Sequence, residues 1–242
     1  MVKIQFYALS ERGKRERNED SCCAEKIGNY YVFGVADGLG GHAAGEIASA
    51  IAIECLKNEM QKEHESITTK LGDVIIKADQ EILARSDQDR DLNGMATTLL
   101  ICIIDEEGDC TLINIGDSRA FIINGTSIRH TKDHSYIQEL LDAGQITPEE
   151  AWRHPLNTII SQAVGDPESV LKPDLYSTNI RENILLMSSD GLHDYVRKER
   201  IQEIVMEYPD NLKKKCEILV QEALKNGSGD NITLIVVKGA IE

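Results

Sequence analysis

The chain of 242 residues is expected to fold as a layered α+β protein, and three observations say so. Apolar segments near 97–104, 110–115 and 119–123 follow one another across connections too short for crossover helices, which predicts an antiparallel meander. Helical apolar stripes come in pairs. The regular strand–helix alternation of a doubly wound parallel sheet is missing.

The elements follow in order. Residues 2–8 alternate like a strand and lack the apolar block of a secretory signal. A basic loop leads to Asn18-Glu19-Asp20. Residues 30–36 form an apolar strand that ends on Asp37-Gly38-Leu39-Gly40-Gly41-His42. Ile47, Ala48, Ile51, Ala52, Cys55 and Leu56 recur at helical spacing, and Leu71, Val74, Ile75, Ala78 and Ile82 repeat the pattern on a second helix. Residues 97–104 are apolar on both faces, so this strand should lie centrally in a sheet.

Residues 132–170 differ in character. Lys132-Asp133-His134-Ser135 is placed to cap a short helix bearing Ile137, Leu140 and Leu141, with Gly144 after it. Pro148, Pro155, Gly165 and Pro167 punctuate the rest, as in a largely irregular flap over a sheet edge, the kind of segment that gates a site. A strand near 184–189 follows. A second helix pair is marked by Ile201, Ile204 and Val205, then Cys216, Leu219, Val220 and Ala223, and the last strand falls near 232–238. With no repeat, low-complexity run or compositional break, residues 1–242 read as a single domain.

Composition removes several function classes. A net charge of −15 argues against a nucleic-acid footprint, which needs a basic patch. No apolar window is long enough to span a bilayer, so a cytoplasmic protein is the expectation. The six cysteines include no Cys-x-x-Cys pair, and Cys55, Cys102 and Cys216 lie in apolar runs where reduced thiols pack as small hydrophobes. If the adjacent Cys22 and Cys23 lie in a strand, they face opposite ways.

The acids at strand ends carry the chemistry. Val35-Ala36-Asp37-Gly38, Gly116-Asp117-Ser118 and Ser189-Asp190-Gly191 each close an apolar strand with an Asp beside a small residue. Gly229-Asp230-Asn231 precedes its strand, which brings it to the same edge if that strand runs the opposite way. Each alone reads as turn chemistry, since Asp and Gly are common turn residues. Together, gathered carboxylates repel unless a cation joins them. Oxygen-only donors favour hard ions, Mg²⁺ or Mn²⁺. Two such ions about 3.5–4 Å apart can drive in-line attack on phosphorus. A rival reading takes Gly38-x-Gly40-x-x-Ala43 as a dinucleotide fingerprint, but Asp37 would then stand against the pyrophosphate and the strand–helix alternation is lacking.

In order along the chain, Arg15-x-x-Asn18-Glu19-Asp20, Asp37 to His42, Ala96-Thr97-Thr98-Leu99, Gly116-Asp117-Ser118-Arg119, Asp133-His134-Ser135, Ser189-Asp190-Gly191-Leu192 and Gly229-Asp230-Asn231-Ile232-Thr233 resemble the motifs of the protein phosphatase 2C family, in its compact prokaryotic form. The resemblance implies a four-layer α-β-β-α sandwich, two stacked antiparallel sheets flanked by helix pairs. It implies metal-dependent hydrolysis of phosphoserine and phosphothreonine in proteins, in opposition to a Ser/Thr kinase. Asp37 would bridge two Mg²⁺ or Mn²⁺ ions, with the Gly38 carbonyl on the first and Asp190 and Asp230 on the second. Asp20, with Glu19 beside it, would hold water on the metals. Asp117, Asp190 and Asp194 match a third metal position, and residues 132–170 match the variable flap. Arg15 would grip the phosphate, for which a planar guanidinium is suited. No covalent phosphoenzyme is implied.

His42 is a candidate general acid, set against a reading as a turn cap, because three residues separate it from Asp37-Gly38 where longer relatives have the histidine directly. Gly13 lies two residues before Arg15 where three are usual, which leaves Arg17 as an alternative grip. His193 precedes Asp194 where an aromatic or small residue is more usual. His130 and His134 lack the Glu of a His-Glu-x-x-His zinc site and read as loop and capping residues. Two other readings compete on function. One is a non-catalytic phosphoprotein binder, which should have lost some of these acids. The other is hydrolysis of small phosphoesters or of a sigma-factor-regulator phosphoserine. The expected partners are phosphorylated proteins, and the chain is expected to be a monomer.

Overall fold

The computed structural model describes residues 2–40, 44–63, 65–152, 154–208 and 210–241. The first part of the chain forms β1 (Val2–Glu11), β2 (Asp20–Ile27), β3 (Tyr30–Leu39), α1 (Ala44–Met60) and α2 (Ile67–Gln88). Four strands follow in close succession, β4 (Ala96–Thr97), β5 (Leu99–Ile104), β6 (Asp109–Ile115) and β7 (Arg119–Ile123), then β8 (Ile128–His130). The flap carries α3 (Tyr136–Asp142) and α4 (Pro148–Ala151). The chain closes with β9 (Asp174–Asn179), β10 (Ile184–Ser188), α5 (Asp190–His193), α6 (Lys198–Glu207), α7 (Leu212–Lys225) and β11 (Ile232–Ile241).

Two antiparallel sheets result. One runs β1-β11-β10-β7-β8 and the other β2-β3-β5-β6-β9, with β4 against β3. Period-2 alternation stacks them. Phe33, Val35, Leu100, Cys102 and Ile104 face Leu185, Met187, Ile235 and Val237 across the inter-sheet core. The opposite faces of the same strands meet helices. Val32, Ala36, Ile101 and Ile103 pack under Ala48, Ala52, Leu56, Leu71, Val74 and Ile82 of α1 and α2. Leu186, Leu234 and Val236 pack under Ile201, Ile204, Cys216 and Leu219 of α6 and α7. Four layers are therefore present, helix pair, sheet, sheet and helix pair, and the inner strands β3, β5 and β10 are apolar on both faces because both are covered.

Both helix pairs follow their predicted stripes, with one adjustment. On α1 the buried line runs through Ala48, Ser49, Ala52, Ile53, Cys55 and Leu56, while Ile47 and Ile51 are only partly buried. β5 lies between β3 and β6, as its apolar faces required. Cys22 and Cys23 lie on β2 and do face opposite ways, Cys23 to the helix side and Cys22 to the inter-sheet side. The six cysteines are unbridged.

The predicted meander needs correction. β5 pairs with β6, but β7 leaves them and pairs with β10 in the other sheet. The short connection 116–118 is a crossing between layers rather than a hairpin. Gly116 makes it possible, because its φ of +99° is closed to most side-chain-bearing residues and a Cβ there would sit 2.6 Å from the Thr98 methyl. The 97–104 strand is also broken at Thr98. β2, β8 and β9 had no clear apolar alternation, and their pairing partners reveal them.

The flap is fastened at both ends. Ser135 caps α3 through the Gln138 amide, and Thr147 with Glu150 forms a capping box on α4. Farther on, Val164 exchanges backbone hydrogen bonds with Thr97, at 2.8 and 2.9 Å, and the Gly165 amide donates to Asp79 Oδ1 on α2.

Candidate active site

The predicted acids meet at one edge of the stacked sheets. Asp20 opens β2 directly opposite Asp37 on β3. Asp190 follows β10, and Asp230 precedes β11, which runs antiparallel to β10 and so returns to the same edge. A backbone bond from the Ser189 amide to the Thr233 carbonyl, 3.0 Å long, ties these two ends together. Asp117 reaches the edge from the crossing between sheets, and Asp194 from the end of α5.

The Asp37 turn is held from three sides. Its amide donates to Thr98 Oγ1 at 2.9 Å, and its carbonyl accepts from the Thr98 amide and from Thr97 Oγ1, both at 2.9 Å. Gly38 is demanded by close packing. A Cβ there would meet the Gly45 carbonyl oxygen of α1 at 2.1 Å and the Glu19 carbonyl oxygen at 2.6 Å. The glycine thus lets α1 and the Glu19 loop press against the strand end. Gly41 and His42 lie outside the described residues, so the candidate general acid has no position here.

Burial and mutual repulsion dominate the electrostatics. Asp37 and Asp190 are pushed well above the ordinary carboxylate range, first by burial and then by neighbouring acids that include Asp20, Asp117 and Asp230. Burial lifts Asp20 to about 6, partly opposed by the hydrogen bond from Ser189. Burial also lifts Asp117 to about 7, with Asp133 and Asp194 adding to it, and Asp194 to about 6. Among the described residues, no three His, Cys, Asp or Glu side chains converge into a ready metal cage. Ions that keep most of their water need only one or two carboxylates each. Asp20 supports such a fit, because its Oδ1 is buried with no hydrogen-bond partner while Oδ2 accepts from Ser189 Oγ at 2.8 Å. An all-oxygen donor set with an orphaned carboxylate oxygen suits a hard divalent ion.

The two arginines separate. Arg15 Nη2 lies 2.7 Å from Asp230 Oδ2, whereas Arg17 reaches Glu46, at 3.6 Å. Only Arg15 touches a predicted ligand.

Several supporting residues carried no assigned role in the sequence, although they stood inside its motifs. Asn231 accepts from the Glu19 amide at 2.8 Å and donates to the carbonyls of Arg12 and Arg17, so it shapes the loop that presents Arg15. Ser189 holds Asp20 while accepting from the Thr233 amide at 3.0 Å. Arg119 clasps Asp133 through Nε and Nη2, at 2.8 and 2.6 Å, beneath the flap. His134 accepts the Gly116 amide at 3.2 Å and returns its own amide to the Gly116 carbonyl at 2.9 Å, which fits its reading as a loop residue. His193 is buried, and its Nδ1 lies 2.9 Å from Ser188 Oγ. Burial, with Arg119 and His130 nearby, holds its ring well below the usual imidazole range. Asn157 of the flap had no signal at all, and its Nδ2 donates to Asp194 Oδ2 at 3.1 Å.

Comparison with known proteins points the same way. The family model described as protein phosphatase 2C matches residues 9–226. The serine/threonine phosphatase stp of Listeria monocytogenes is 34% identical over 238 residues, covering 95% of this chain and 93% of its own length. The serine/threonine protein phosphatase PstP of Mycobacterium tuberculosis is 35% identical over 96% of this chain and 44% of its own length. The crystal structure of M. tuberculosis PstP/Ppp superposes with a TM-score of 0.88 at 33% identity, covering 98% of this chain and 99% of that one. A structure of the PstP catalytic domain in complex with two manganese ions gives 0.87 at 31% identity, with full coverage of both chains.

Proposed function

We propose that this chain, which belongs to the protein phosphatase 2C family and is a protein serine/threonine phosphatase, hydrolyses its phosphoesters at a pair of divalent ions held by its strand-end acids. Asp37 would stand between the two ions, with the Gly38 carbonyl on one and Asp190 and Asp230 on the other. Asp20 would orient water, and Asp117 with Asp194 would serve a third, weaker position beside Asp190. When bound, the ions supply a nucleophile at neutral pH and neutralise charge on the phosphoryl oxygens. The observation that carries this reading is the convergence of Asp20, Asp37, Asp117, Asp190 and Asp230, whose mutual charge is costly unless a cation joins them.

The chain's own groups divide the remaining work. Ser189 holds one oxygen of Asp20 and leaves the other turned inward without a partner. Thr97 and Thr98 pin the Asp37 backbone. Arg15, more than half exposed and on a loop braced by Asn231, is positioned to exchange Asp230 for a phosphate. Its planar fork suits two phosphoryl oxygens. His42 is proposed to protonate the leaving serine or threonine oxygen. The partners would be Ser/Thr-phosphorylated proteins, with the reaction opposing a Ser/Thr kinase, carried out by a cytoplasmic monomer of one catalytic domain.

With Mn²⁺ or Mg²⁺ the purified protein should release phosphate from a phosphothreonine peptide, and a chelator should stop it. Asp37→Asn or Asp190→Asn should cost at least about a hundredfold in turnover, since even outer-shell partners of a metal cost about 10–100-fold. Undiminished hydrolysis in excess EDTA would defeat the metal reading. In the same assay His42→Gln should slow the phosphopeptide far more than p-nitrophenyl phosphate, whose leaving group needs no proton. Equal losses on both substrates would assign the proton elsewhere.

A further inference from the structure

Beside the acids, a cavity of about 320 Å³ opens between the flap and the β7–β8 end of its sheet. Asp117 and Asp194 line one end of it, so it is continuous with the candidate active site. Phe121, Ile137, Leu141, Pro148, Trp152 and Val196 form the apolar part of its wall, among polar side chains. The rivals elsewhere are poorer. The groove around Glu59, Lys62 and Lys77 holds ion pairs, of which Lys77–Glu59 fastens α1 to α2, and the buried Lys215 amine lines neither that groove nor this cavity.

Several polar groups on the cavity wall are already engaged, while Lys198 and Glu199 on it are exposed. Arg119 makes three hydrogen bonds to Asp133. Arg197 makes two to Glu149, at 3.0 and 2.6 Å, and stacks over the Trp152 ring at 5.0 Å. Asn157 is bonded to Asp194, His193 lies against Ser188 Oγ, and His130 Nδ1 lies 2.7 Å from the Thr131 carbonyl. An incoming side chain can be buried against the apolar part of the wall, with Phe121, Ile137 and Val196 at its base. The exposed Arg197–Glu149 pair joins the start of α6 to α4 at the outer wall.

We propose that this cavity receives a large apolar side chain, Phe or Leu, next to the phosphorylated residue of the substrate, and so selects among phosphoproteins. The proposal rests on the phosphatase reading above, because it takes the phosphorylated residue to sit at the acids that form the cavity's inner end.

The test is a set of phosphothreonine peptides carrying Phe, Leu, Ala or Asp on either side of the phosphothreonine, assayed with Mn²⁺ beside p-nitrophenyl phosphate. Peptides with Phe or Leu on one side should exceed the Ala peptide by about tenfold or more in kcat/KM, the scale of apolar pocket discrimination. Ala151→Leu, which fills the cavity from α4, should erase that preference and leave p-nitrophenyl phosphate turnover unchanged. Leu141→Trp, from the partly exposed face of α3, provides a second filling variant if the first does not fold. Equal rates across the peptides, a preference for Asp, or filled variants that keep the wild-type preference would overturn the proposal while p-nitrophenyl phosphate turnover upholds the phosphatase reading. Absence of metal-dependent turnover on every substrate would overturn both.

Discussion

Arg15 and Arg17 differ by two positions, and their surroundings assign them different work. Arg15 meets Asp230 at 2.7 Å, within the acid group, while Arg17 leans on Glu46 at the edge. Arg15→Ala should therefore raise KM for a phosphopeptide by about tenfold with a smaller change in kcat, as expected for loss of one charged substrate contact. Arg17→Ala should leave both within about twofold, the scale of an exposed ion pair. The reverse pattern in steady-state kinetics would move the phosphate grip to Arg17. Ser189 makes a second residue-scale case. Its hydroxyl bridges Asp20 Oδ2 and the Thr233 amide, so Ser189→Ala leaves both without that partner. Mn²⁺ affinity measured by calorimetry should fall by about 10–100-fold, as for other residues that orient a metal ligand.

Among the elements, the crossing from β6 to β7 decides most. Gly116 turns the chain at φ +99°, and its amide and carbonyl are both claimed by His134, so the flap's first residues and the Asp117 turn are set together. Gly116→Ala adds a Cβ against Thr98 in a backbone conformation that costs about 1–3 kcal/mol for other residues. Thermal unfolding should show a Tm lower by several degrees, about 2–4 °C per kcal/mol for a chain of this size. Metal affinity should fall with it, because Asp117 rides on the same turn. A Tm unchanged by the substitution would mean the crossing is not under this constraint.

Across the whole molecule, the acid edge links stability to pH and to metal. Asp20, Asp117 and Asp194 titrate near 6, 7 and 6 in the folded chain, all above the ordinary aspartate value because burial opposes their charge. The folded state thus holds protons that the unfolded state has released. Their contribution to stability is full below about pH 4 and is lost as pH rises through 6 to 7. The metal-free protein should lose Tm between pH 5 and pH 8, and added Mn²⁺ should raise Tm more at pH 8 than at pH 5. A metal-free Tm that climbs over this range, followed by calorimetry in chelator, would contradict the picture of unpartnered buried carboxylates.

Much of this was legible one residue at a time. The period-2 and period-3.6 patterns located both helix pairs and the central strands, because burial on a covered sheet or helix face leaves its mark on consecutive residues. The acids at strand ends were visible for the same local reason: each stands beside a small residue where an apolar run stops. Even Asp230, before its strand, was placed correctly once β11 was allowed to run against β10. The meander failed because a three-residue connection looks the same whether it folds back within a sheet or passes to the next layer. That choice is made by packing on both sides of 116–118. Asn157 on Asp194, Asn231 under the Arg15 loop and the cavity beneath the flap join residues distant in the chain, so no local pattern announces them. The sequence by itself determined the layered α+β class, the acids and the hard-ion chemistry they suit, since composition and short-range periodicity carry those. Tertiary structure alone decided which sheet each strand enters, which arginine meets the acids and what shape the neighbouring cavity takes, because these depend on long-range packing.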